Sequence, residues 1–238
     1  MSSYWRLSRS PRYSLLFALP LLLFYETLAF VLSHDALAGV RNGADVLLKS
    51  AFVWLGGRTG LIVFGVLLLG TGVALIRRDH AAGRPRPAIF LAMAAESALY
   101  AALFGAVAGA LTGLLLQGLV RLAVGVSPRL DVPTQLMISL GAGIYEELLF
   151  RVLIVGCLAW LARRLFGWRE VGAGAFATAV GALIFSAFHY VGPYGDRLTL
   201  PSFTFRTIAG VLFSGLYLTR GFGITAWTHA LYDVLVTV

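Results

Sequence analysis

The chain has 238 residues, of which 59% are hydrophobic and only 13% charged, and its mean hydropathy is +0.84. A soluble domain of this length needs far less apolar surface to fill one core, so the composition excludes a soluble globular protein and a second, soluble domain. The net charge of +8 does not mark a nucleic-acid binder, because the arginines cluster in short loops between apolar runs, where they orient membrane segments and face anionic lipid.

The basic start MSSYWRLSRSPR precedes an apolar run over 13–32 that resembles a signal peptide up to the small-residue site at 36–38. The run is longer than a signal core and carries Glu26, so a retained helix is expected. A second span covers 51–76 and ends at RRDHAAGRPRP, whose prolines cannot continue a helix. The third covers 88–120, a length that suggests tilt, a kink among its glycines or an extension beyond the bilayer. The fourth covers 134–161, the fifth 171–190, the sixth 203–218 and the seventh 222–238. The expected fold is therefore all-α, a polytopic membrane helix bundle of about seven transmembrane helices, six to eight being compatible with the pattern.

Arginine and lysine concentrate at the N-terminus, in 77–86, in 163–169 and at Arg220, which puts the N-terminus in the cytoplasm, with the plasma membrane as the expected location. Tyr4, Trp5, Trp168 and Tyr190 suit the interfacial belts, and Gly172, Gly174, Gly210 and Gly215 suit close helix packing. Cys157 is the single cysteine, which rules out an internal disulfide or a cysteine metal cluster.

The stretch GAGIYEELLFRVLIVG, residues 141–156, sets Glu146, Glu147 and Arg151 inside the fourth span. Glu146 lies about twelve residues in, near mid-membrane at ~1.5 Å per residue. An ionisable group there costs roughly 2.5–3.5 kcal/mol on the mildest scales, and its retention points to function. In an α-helix Glu147 and Arg151, four apart, share a face and pair, while Glu146 points elsewhere. Of the four histidines, His34 and His80 fall in loops, whereas His189 in FSAFHY and His229 in THALYD lie in or beside apolar spans. His229 and Asp233 again share one face. If these helices converge they form a polar chamber within the bilayer. Glu26 and Glu96 also lie in apolar runs and are expected to face the bundle interior or an interface without a catalytic role.

EELLFR (Glu146, Glu147, Arg151), FSAFH (Phe185, His189) and HALYD (His229, Asp233), in this order on successive spans, resemble the EExxxR, FxxxH and HxxxN/D motifs of the CAAX protease and bacteriocin-processing family, which includes the type II CAAX prenyl endopeptidases. The resemblance covers 131–238, while 1–130 is expected to be a set of transmembrane helices without a recognised motif. It implies an intramembrane endopeptidase in which Glu146 is the general base and His189 holds the same water. Glu147 and Arg151 then act as supports, and His229 stabilises the oxyanion with help from residue 233. Many relatives carry asparagine at that last position, and an ionised Asp233 donates no hydrogen bond.

The same residues Glu146, His189 and His229 form an open zinc set, but HExxH is absent, so a metal-free mechanism without cofactor is expected, with zinc as the alternative. The expected partners are membrane lipids and a protein or peptide substrate at the membrane, with lipid modification of that substrate left open. Two other classes are weighed: a non-hydrolytic scaffold or bacteriocin-immunity protein, which has no need of all three motifs, and a proton-coupled transporter, which lacks the paired broken helices.

Overall fold

In the computed structural model the described residues are 3–33, 40–116, 131–192 and 195–237. His34, Pro193, the small-residue site at 36–38, the end of the third span at 117–120 and nearly all of the 121–131 loop lie outside them. Every regular element among the described residues is helical. They are α1 (Ser3–Ser8), α2 (Pro11–Ser33), α3 (Gly43–Arg78), a 3-10 turn (His80–Ala82), α4 (Pro87–Leu115), α5 (Val132–Gly141), a π-helix (Ala142–Val155), α6 (Gly156–Phe166), α7 (Glu170–Phe188), α8 (Leu200–Arg220) and α9 (Phe222–Thr237). The all-α expectation holds.

Helix α2 shows why this is a membrane protein. Its buried stripe is Tyr13, Phe17, Leu21, Tyr25 and Ala29, one residue per turn. Its opposite face, Leu23, Phe24 and Phe30, is exposed and equally apolar. A helix apolar all round, with its polar atoms turned inward, suits hydrocarbon as its solvent. Among the described residues four helices can cross a membrane by length and composition: Pro11–Leu32, Gly43–Arg78, Pro87–Leu115 and Glu170–Phe188. The remaining three expected spans correspond to the run from α5 through the π-helix into α6, to α8 and to α9.

Two boundaries differ from the apolar pattern for physical reasons. Helix α3 starts at Gly43, eight residues before the expected 51, because Asn42 caps it and because Asp45 and Lys49, which interrupt the apolar run, are buried by pairing with each other. Farther along, α3 breaks at Gly56 and Gly57, where the backbone leaves helical geometry. Arg220, counted with the basic loops, is instead 1% exposed at the end of α8. It donates to Glu96 Oε2 at 2.7 Å and Ser8 Oγ at 2.9 Å, and its guanidinium lies 3.8 Å from the centre of the Trp5 ring.

The chain divides into two compact units, and the boundary falls inside the motif helix, after Glu147. Unit 1 is Met1–Ala101, Asp131–Glu147 and Thr219–Val238, and unit 2 is Ala102–Leu130 and Leu148–Leu218. In unit 1, α2 is the centre, packed on α3, α5 and α9, with α5 also on α9. In unit 2, α6 packs on α7. Of the glycines read as packing positions, Gly210 meets Ala182 of α7, while Gly172, Gly174 and Gly215 face open space.

Candidate active site

Asp131 opens the motif-bearing run by accepting from the backbone N–H of Thr134, and Pro133 fits the first turn, where no helical N–H is needed. After Gly141 the helix is wound as a π-helix over Ala142–Val155, which contains the whole EExxxR motif. The i,i+4 rule used for Glu147 and Arg151 belongs to an α-helix and does not describe a segment wound i→i+5. Such windings are rare and gather at functional sites.

In unit 1 the π-helix meets α9 at Gly143. A Cβ on that residue would stand 2.4 Å from the carbonyl oxygen of Ala226 and 2.7 Å from Cβ of Ala230, so only glycine permits this approach. One turn further along both helices, Glu147 Oε1 is 2.7 Å from His229 Nδ1. Glu147 is fully buried and His229 nearly so. On the other side of the ring, Asp233 Oδ2 is 3.7 Å from Nε2. The imidazole therefore has a carboxylate facing each nitrogen, and Glu147 fixes the orientation of the ring.

Glu146, buried at 7% exposure, faces the N-terminal helices of the same unit. Its Oε1 accepts from Asn42 Nδ2 at 2.9 Å. Gly141 allows that proximity, since a Cβ there would overlap the Tyr25 ring and the Asn42 Cβ. Beside this contact is a polar cluster that burial makes obligatory. Asp45 accepts from Tyr25 at 2.6 Å and Arg41 at 2.8 Å, and Lys49 lies 2.7 Å from its other oxygen. Lys49 reaches Glu26 at 2.9 Å, and Tyr145, next to Glu146 in sequence, donates to the same Glu26 oxygen. Glu26 thus lies at the half-exposed edge of a structural cluster, and Glu96 is more deeply placed beside Arg220 and Tyr4.

Unit 2 holds the other two motif residues. Arg151 is 1% exposed, with its guanidinium carbon 4.5 Å from the ring centre of Phe185, 5.5 Å from Phe213 and 5.9 Å from Phe150, an aromatic cage for the cation. His189 ends α7, where its Nδ1 is 2.8 Å from the Phe185 carbonyl oxygen. A carbonyl only accepts, so Nδ1 carries a proton. The following loop is tied back: Asp196 N donates to the His189 carbonyl at 2.9 Å, and Arg206 holds Asp196, Tyr190 and Ser202.

Unit 1 therefore gathers Glu146, Glu147, His229 and Asp233, and unit 2 carries Arg151 and His189. Among the described residues no three His, Cys, Asp or Glu side chains are grouped as a metal-holding set. Asn42 is the residue that motif reading misses. Its signal is the NGAD sequence before an apolar run, an asparagine cap with an acid three residues on.

An all-helical membrane protein that buries a histidine between two carboxylates, next to a further glutamate, carries the groups of a hydrolytic site. Residues 128–235 match the family model of the Rce1-like type II CAAX prenyl endopeptidases. The match begins within three residues of the stretch in which the motifs lie and supports a protease. No curated protein and no solved structure matches the chain.

Proposed function

We propose that the protein is an intramembrane endopeptidase that hydrolyses a peptide bond in or next to the bilayer, with Glu146 as general base. Glu146 takes a proton from water as the water oxygen attacks the scissile carbonyl carbon. The proton then passes to the leaving amine nitrogen as the C–N bond breaks. The motif resemblance assigns His189 to hold water, a role open to Nε2 when Nδ1 donates to the Phe185 carbonyl. His229 donates to the developing oxyanion, and Asp233 orients it. Glu147 aims His229, and Arg151 steadies the helix that carries both glutamates.

The observation that carries this reading is the buried Glu147–His229 pair beside Glu146, inside the residues that the family model matches. The substrate class is a protein or peptide at the membrane, lipid-modified ones included. The basic loops support a plasma-membrane location with the N-terminus in the cytoplasm. No step is assigned to a cofactor: HExxH is absent, and Glu146 Oε1 is engaged by Asn42. Zinc on Glu146, His189 and His229 is the alternative, in which the ion would supply Lewis acidity.

The test is cleavage of lipidated and unlipidated peptide libraries by the purified protein in lipid, read by mass spectrometry with and without chelator. Cleavage that survives chelation is expected. Loss to chelator with recovery on adding zinc would move the mechanism to the metal, and a folded protein that cleaves nothing would favour a scaffold role.

A further inference from the structure

The residue that holds Glu146 comes from outside the family match. Asn42 precedes α3 with φ −61 and ψ 135, the extended geometry of a helix cap, and its side chain is buried. Its Oδ1 accepts from the backbone N–H of Ala44 at 2.9 Å and of Asp45 at 3.4 Å. Those two contacts fix which way round the amide lies, since the opposite orientation would set an NH2 group against two N–H donors. The amide nitrogen must then point away from the cap, and it meets Glu146 Oε1 at 2.9 Å.

The base of this contact is itself fixed. Asp45, in the first turn of α3, is held by Tyr25, Arg41 and Lys49, and Lys49 is linked through Glu26 to Tyr145. The cap and the carboxylate it touches therefore belong to one buried cluster in unit 1. An amide suits this place because it donates without adding a charge and does not compete with the glutamate for protons.

We propose that Asn42 is a positioning residue for Glu146: one end of its amide caps α3 and the other ties the carboxylate oxygen Oε1, fixing the plane in which the base faces its water. The proposal rests on the reading of Glu146 as the base. It gives the N-terminal helices, which carry no family motif, a defined part in catalysis.

The experiment separates the two ends of the amide. Asn42→Ser retains a capping oxygen, since serine caps about as well as asparagine, but it loses the amide N–H to Glu146 and its side chain is one atom shorter; Asn42→Ala loses both. The full chain in lipid nanodiscs is compared by thermal unfolding, by kcat and KM on a cleaved peptide, and by isotope-edited infrared of the glutamate carboxylates, with the Glu146 band assigned from its loss in Glu146→Gln. Asn42→Ser is expected to unfold with wild type, to lose about 10–100-fold in kcat at unchanged KM, and to show a displaced Glu146 band. Asn42→Ala is expected to unfold at lower temperature as well. A cap-retaining variant with the Glu146 band unmoved overturns the proposal whatever the activity, and so does wild-type kcat in such a variant when Glu146→Gln is inactive. Full activity in Glu146→Gln instead overturns the base reading, and the infrared band still decides what Asn42 holds.

Discussion

His229 Nδ1 meets the second glutamate of the motif, Glu147, at 2.7 Å, while the first, Glu146, is bonded to Asn42. The two adjacent carboxylates are thereby given different work. One orients a histidine on α9, and the other faces the N-terminal helices, where the proposed mechanism takes it as the base.

Replacing Glu147 by glutamine keeps the shape but removes the charge that aims His229. Glu147→Gln is expected to lower kcat roughly 10–100-fold with little change in KM. Steady-state kinetics on a cleaved peptide checks this, and a KM effect alone would place Glu147 in substrate binding.

Gly143 lets the π-helix and α9 touch. Gly143→Val is expected to cost about 1–3 kcal/mol or more through overlap with Ala226 and Ala230 and to lower activity as Glu147 and His229 separate. Gly172→Ala, facing open space on α7, is the control and should stay within about 0.5 kcal/mol of wild type. Thermal unfolding in lipid reads both.

Arg151 sits among Phe150, Phe185 and Phe213. Lysine retains the charge but not the flat guanidinium that lies over those rings, so Arg151→Lys is expected to destabilise by about 1–2 kcal/mol. A midpoint of thermal unfolding equal to wild type would show that charge alone suffices there.

The helical class is legible because it depends on local signals, the runs of apolar residues, and Glu146, Glu147 and Arg151 stand out as charges that interrupt one of them. The partner of Glu146 is not legible, since Asn42 lies 104 residues away and reads locally as an ordinary helix cap. For the same reason Arg220 passes for a loop charge until Glu96, 124 residues distant, is seen beside it. The start of α3 was hidden because Asp45 and Lys49 interrupt an apolar window yet are helical and paired. The π-winding left no trace in the sequence, because i→i+4 and i→i+5 ladders differ in hydrogen-bond register while the apolar pattern stays the same.

The central claim is that Glu146 activates the water. Its most direct test is peptide cleavage by wild type and Glu146→Gln, purified side by side in lipid and shown by thermal unfolding to be equally folded. Cleavage by wild type that is abolished in Glu146→Gln is the predicted result. Cleavage by Glu146→Gln at the wild-type rate would contradict it.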